Sequence, residues 1–148
     1  PLFSLVTSVG VERPWYISTL FLDLFASGFI ANKKKAELAL QETYTAKQQE
    51  QQKLEILEKN VEYNYLIVRP CWLTDDEFDP AKQTCGFGQG DKFSVLKSSP
   101  RSLIAQVLVQ WTLHHHNACK CAKIDVVSGA KGTPADWKGL FSKVKHNQ

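Results

Sequence analysis

Methionine is absent from all 148 positions, position 1 included, so the chain is expected to be a processed one from which a targeting peptide was cleaved. Catalytic signatures are absent as well. No G-x-S-x-G, H-E-x-x-H, Walker or dinucleotide-binding pattern occurs, and the acids and histidines form no dyad or triad, which disfavours an enzyme. Arginine is missing from residues 120–148, where Lys120, Lys123, Lys131, Lys138, Lys143 and Lys145 oppose only Asp125 and Asp136. A basic stretch without arginine or interleaved exposed aromatics disfavours nucleic acid as a partner. Glycine and proline are missing from residues 33–62, which hold six lysines, six glutamates and the run KQQEQQK. Strong helix formers of this kind predict a long polar helix. Its apolar stripe (Leu38, Ala39, Tyr44, Leu54, Leu57, Val61) is broken, so the helix is expected to bridge solvent or lie along a partner.

What the chain does have is one long apolar run. Residues 15–32 read WYISTLFLDLFASGFIAN and are followed by Lys33, Lys34 and Lys35. Trp15 and Tyr16 at one end and the lysines at the other are interfacial anchors, and a span of ~26 Å falls slightly short of the ~30 Å bilayer core. A transmembrane helix is therefore expected over 15–32. Thr19, Asp23 and Ser27 fall at i, i+4 and i+8, a polar stripe expected to face a protein partner rather than lipid. The competing reading is a helix of a soluble core, since the same residues suit a wide buried face.

Residues 1–14 read as an extended lead-in ending at Pro14. Residues 63–128 are expected to form a small α+β domain. YNYLIVR before Pro70 and KIDVVS over 123–128 read as strands, as does Phe93 to Lys97, and a helix is expected from about Arg101 to His115, with Ser99 as N-cap. The acids Asp75, Asp76, Glu77 and Asp79 follow Thr74, whose spacing to Glu77 fits a capping box. Gly86, Gly88 and Gly90 resemble a phosphate loop in composition only, because neither a Lys-Ser/Thr ending nor a helix follows. Residues 129–148 read as a linker and an amphipathic helix capped by Thr133. Its stripe of Trp137, Leu140, Phe141 and Val144 is a candidate docking face for a partner or membrane surface.

Four cysteines, Cys71, Cys85, Cys119 and Cys121, are candidates for disulfides, with three pairings open. Zinc is not expected, because no two ligand pairs sit at knuckle spacing. His114, His115 and His116 are the candidate cofactor ligands. No cofactor is predicted, with axial ligation of chlorophyll the one possibility considered.

These readings combine into a mostly α protein with a small α+β part: one N-terminal membrane-spanning helix continuing into a long polar helix, then a small mixed domain with three short strands and a C-terminal amphipathic helix. The expected role is a non-catalytic accessory or linker subunit of a large energy-transducing membrane complex, its partners being other subunits and membrane lipid. A photosystem with its antenna, in the thylakoid, is placed ahead of a respiratory complex of the mitochondrial inner membrane. The alternative is a soluble α+β binding module stabilised by a disulfide or a metal.

Overall fold

The structure, a computed structural model, describes residues 1–13, 20, 24, 28–54, 63–94 and 96–146. Its elements are β1 (Leu2–Val6), α1 (Phe29–Leu54), β2 (Asn64–Pro70), β3 (Trp72–Thr74), β4 (Gln83–Gly88), β5 (Ser98–Pro100), α2 (Arg101–Gln110) with a π-helical turn over Trp111–His115, β6 (Ala122–Lys131) and α3 (Trp137–Ser142).

β2 is an unbroken apolar run with one charge, NYLIVRP, and all seven of its residues are buried. A strand of that kind is covered on both faces and belongs inside a parallel sheet. It pairs in parallel with β1 on one side, Leu5 opposite Ile67, and with β6 on the other, Val68 opposite Ile124. β4 completes the sheet antiparallel to β6, giving the order β1-β2-β6-β4, while β3 and β5 form a separate two-stranded ribbon. Side chains alternate along β2. Leu66 and Val68 enter the main core with Leu103, Val107, Trp111, Ile124 and Phe141, from α2, β6 and α3. Tyr65 and Arg69 point the other way, where Tyr65 meets Tyr44 of α1 edge-on at 5.0 Å and Arg69 meets Glu37. Helices thus cover both faces of the sheet.

This architecture corrects the expected fold. The described residues hold six strands rather than three, and the lead-in is a strand of the main sheet. Among the described residues no helix is long and apolar enough to cross a membrane. Gly28 adopts φ +76° immediately before α1. A left-handed residue breaks a helix, so α1 does not continue back through Gly28. The last residues of the expected span instead start α1, where Ile30 is buried. The expected continuation of the span into the polar helix is likewise replaced by a helix that begins at Phe29. Thr19, Asp23 and Ser27, the expected polar stripe, lie outside the described residues.

Other elements shift for local reasons. Gly86 and Gly88 lie within β4, where a Cβ at either would stand 3.1 Å from Val127 or Phe93. The expected strand from Phe93 is absent among its described residues, and no helical turn follows Thr74. Ser99 caps no helix; its hydroxyl donates to the Val126 carbonyl and accepts from the Cys71 N–H, tying β5 to the sheet. The final helix is capped by Asp136, not Thr133. Phe141 of that helix is fully buried and Val144 nearly so, both against the chain's own core, with Trp137 and Leu140 packed beside them. Phe141→Ala should therefore lower the unfolding free energy by about 3–5 kcal/mol, measured by urea denaturation; a loss under about 1 kcal/mol would mean the helix is peripheral.

Candidate functional site

β1 and β2 are adjacent and parallel, yet their outgoing chains part. The chain leaving β1 leads to α1 on the Arg69 face, and the chain leaving β2 leads, through β3, the antiparallel edge strand β4 and β5, to α2 on the opposite face. Loops that diverge in this way leave a crevice outside the carboxyl ends of the strands, where open α/β sheets bind ligands. Such a crevice is present, with a volume of about 250 Å³, lined by Thr7, Ser8 and Val9 after β1, Pro70, Cys71, Trp72 and Leu73 at the end of β2, and the first residues of both helices, Phe29 and Arg101.

Its chemistry is aromatic and electropositive. Trp72, 60% exposed, and Phe29, 44% exposed, both line the crevice. Neither α1 nor α2 has an acidic residue in its first turn, and α2 has no side-chain cap. The positive ends of two helix dipoles are thus left uncompensated by their own helices. Arg101 is exposed and paired with Asp75, also exposed, a pair worth little in water and open to exchange. Lys33, one turn after Phe29, donates to the Val6 carbonyl at 3.4 Å and lies 5.5 Å from the Phe29 ring centre. Ser8 donates to the carbonyl of Val9. Burial, first, pushes the Cys71 thiol up to about 11, so it is no thiolate at neutral pH.

Beneath the crevice lies a buried ion network. Arg69 is 1% exposed; its Nε donates to Glu37 Oε1 at 2.9 Å and its Nη2 to Glu37 Oε2 at 2.5 Å, a two-pronged grip, and Nη2 also donates to Glu12 Oε1 at 2.7 Å. Thr7 donates to the same Glu37 oxygen at 2.6 Å. Burial opposes the charge on Arg69, but the bonds to Glu37 and then Glu12 outweigh it and its pKa rises. On β6, opposite Arg69, Asp125 is fully buried and accepts from the Lys92 N–H, while its Oδ1 stands 3.9 Å from Arg69 Nη1; neither of those two atoms has a hydrogen bond among the described residues. Desolvation dominates there and raises the Asp125 pKa, with the Lys92 N–H and Arg69 pulling it back in part. Asp91 holds the chain after β1, accepting from the N–H groups of Gly10 at 2.6 Å and Glu12 at 3.1 Å.

The residues singled out from sequence lie elsewhere. His114 and His115 sit in the π-helical turn, where His115 stacks on Phe141 at 4.8 Å and its pKa is lowered, first by burial and then by His114. The His116 carbonyl accepts from Asn64. All four cysteines are free thiols: Cys71, Cys85 and Cys119 are buried, and burial pushes the last two up to about 12. Among the described residues no three His, Cys, Asp or Glu side chains converge as metal ligands would. Sequence reasoning missed Arg69, Glu37 and the crevice. The available signal was a single arginine inside the apolar run of β2, a charge that has to find a partner when buried.

The fold is therefore of the α/β class, with a largely parallel sheet between helices. No family model matches the sequence, and no curated protein does. Among solved structures the chain is similar to the oxidoreductase ylbE from Lactococcus lactis, with a TM-score of 0.62 and 14% identity over 99% of this chain and 53% of that one. At that identity the likeness is one of fold, and this chain spans about half of that protein's length. The finding overturns the membrane-subunit reading, and with it the photosystem and respiratory-complex roles and the organelle-membrane location, since the fold is that of an α/β protein and among the described residues no helix is long and apolar enough to cross a membrane.

Two outcomes are expected from the ion network. Glu37→Gln should cost about 3–5 kcal/mol by leaving Arg69 charged and under-partnered, whereas the double change Arg69→Met with Glu37→Leu should cost less than the single one; a strictly additive double-mutant cycle in urea denaturation would show that the pair does not act together. Asp125 takes up a proton more readily folded than unfolded, because its folded pKa is raised. Its ionisation therefore removes stability as pH climbs above its ordinary value of about 3.9. The stability of Asp125→Asn relative to the parent should accordingly rise between about pH 4 and 7, and a difference that stays flat or falls would contradict this sign.

Proposed function

We propose that this chain is the ligand-holding part of an oxidoreductase-type α/β protein, and that the crevice at the ends of β1 and β2 takes the planar, negatively charged end of a small organic molecule. The observation that carries the reading is the divergence of the two outgoing loops around an aromatic crevice flanked by two helix starts. The fold likeness to ylbE supports the class. Two further features favour a part of a larger sheet: β1 is an edge strand that is parallel to its neighbour, and its Leu2 and Phe3 are 40% and 50% exposed. Parallel strands are ordinarily interior.

The size of the crevice limits the ligand. A volume of about 250 Å³ is just below the ~300–1,000 Å³ of pockets that enclose drug-sized molecules, so one ring with its anionic group fits and a whole dinucleotide does not. A nicotinamide dinucleotide also needs a glycine-rich turn from a strand into a helix to cradle its pyrophosphate. The described turn after β1 has the single Gly10, so this chain's residues do not fit that group. Trp72 and Phe29 would clasp the ring, and Arg101 and the helix starts would meet the charge. Among the described residues no side chain lining the crevice is placed as a general base, the thiol of Cys71 being held protonated, which favours binding over turnover by these residues.

The test is an NMR titration with nicotinate and benzoate, with nicotinamide as the uncharged control. Both carboxylates should perturb the amides of residues 7–9 and 71–73, nicotinamide less, and Arg101→Gln should weaken binding by about tenfold. The absence of shifts at those amides at millimolar ligand would refute the reading.

A further inference from the structure

A second recess lies on the outer edge of β4, away from the crevice, and joins two stretches far apart in sequence. It is lined by Phe87, Gly88, Gln89, Gly90, Lys92 and Phe93 from β4 and its following turn, and by Leu140, Lys143, Val144, Lys145 and His146 at the C-terminal side of α3. Gln89 fastens the two together: its side-chain oxygen accepts from the Lys145 N–H at 2.8 Å, and its amide nitrogen donates to the carbonyls of Lys145 at 2.8 Å and Lys123 at 3.1 Å. Gly88 is required by the wall of this recess, because a Cβ there would stand 3.1 Å from the Phe93 ring. Lys97 stands 5.5 Å from the centre of that ring.

The composition of the lining is one-sided. Three lysines and a histidine surround an apolar floor of Phe87, Phe93, Leu140 and Val144, and no carboxylate is among the lining residues. Asp125 lies behind Gly88, fully buried and bonded to the Lys92 N–H, and Asp91 is turned inward to Gly10 and Glu12. Cationic rim and aromatic floor together select a ligand with a flat apolar ring at one end and concentrated negative charge at the other. The volume, about 550 Å³, is within the range of small-molecule sites.

We propose that this recess is a binding site for a nucleoside monophosphate or an anion of the same build, the base resting on Phe93 and Phe87 and the phosphate held by Lys92, Lys143 and Lys145. It is not a phosphate loop of the Walker kind, since no helix follows the glycines. Lysines contributed by the C-terminal segment take the place of the missing helix dipole.

The experiment titrates the full chain with AMP, adenosine and inorganic phosphate, following amide shifts by NMR and heat by calorimetry. AMP should bind more tightly than either fragment and shift residues 87–93 and 143–146. Its affinity should fall with rising salt, as expected of lysines screened over ~8 Å. The double variant Lys143→Ala with Lys145→Ala should weaken AMP by about tenfold or more with an unchanged circular dichroism spectrum, and Lys138→Ala, which removes a nearby lysine of α3 outside the lining, should leave it unaltered. The proposal is overturned by the absence of AMP binding at millimolar concentration. It is equally overturned if the shifts fall at residues 7–9 and 71–73, or if the Lys138 control weakens AMP as much as the double variant.

Discussion

The Arg69–Glu37 pair fixes how the helix lies on the sheet. An arginine in the middle strand of a parallel sheet has no route to water, and burying it alone would cost several kcal/mol. Glu37 must therefore sit directly above it, and a helix pinned at one residue is pinned along its length. Positions seven apart share a helix face, so the same register that places Glu37 on Arg69 sets Ile30 into the core and Tyr44 on the edge of Tyr65. It also carries Phe29 and Lys33 to the end of β1, where they border the crevice. The crevice geometry thus depends on an ion pair two turns away from it.

That network is also why the helix face was hard to read. A stripe running Ile30, Lys33, Glu37, Tyr44 looks polar in sequence, and a broken apolar stripe suggests a helix with nothing to bury. Here the buried face is polar because the sheet beneath it carries the complementary charge, and that complement sits 32 residues away. Periodicity within a window registers hydrophobicity, not pairing between windows. The aromatic and β-branched runs over β2 and β6 were legible as strands, as was the helix after Pro100, because each carries its apolar pattern within a short local window. The parallel ladder joining β1 to β2 was not, since it is made of backbone bonds between segments some 60 residues apart, and the residues 2–6 have exposed as well as half-buried members.

The crevice and the edge recess escaped sequence analysis for a related reason. Each is assembled from segments that are individually unremarkable: a Ser-Val turn and a Trp-Leu pair in one case, a glycine run and two terminal lysines in the other. The glycine run was judged against the one arrangement in which glycines cradle phosphate through a following helix. That criterion has no place for cations supplied by a chain segment more than 50 residues on, held in position by the hydrogen bonds of Gln89.

Charge distribution gives both recesses the same preference. The chain carries a formal net charge of +3, but three of its carboxylates, Glu37, Asp91 and Asp125, are buried against a single fully buried arginine. The charge that faces water is therefore more positive than the total. Burying acids beneath the sheet surface stiffens the layer that shapes the crevice, and it also removes from the exterior the groups that would repel an incoming anion. Long-range attraction of this kind acts on encounter more than on final affinity and fades with salt. Selectivity then rests on what each opening places at contact distance: Trp72, Phe29 and two helix starts at one, and Phe93 with its ring of lysines at the other.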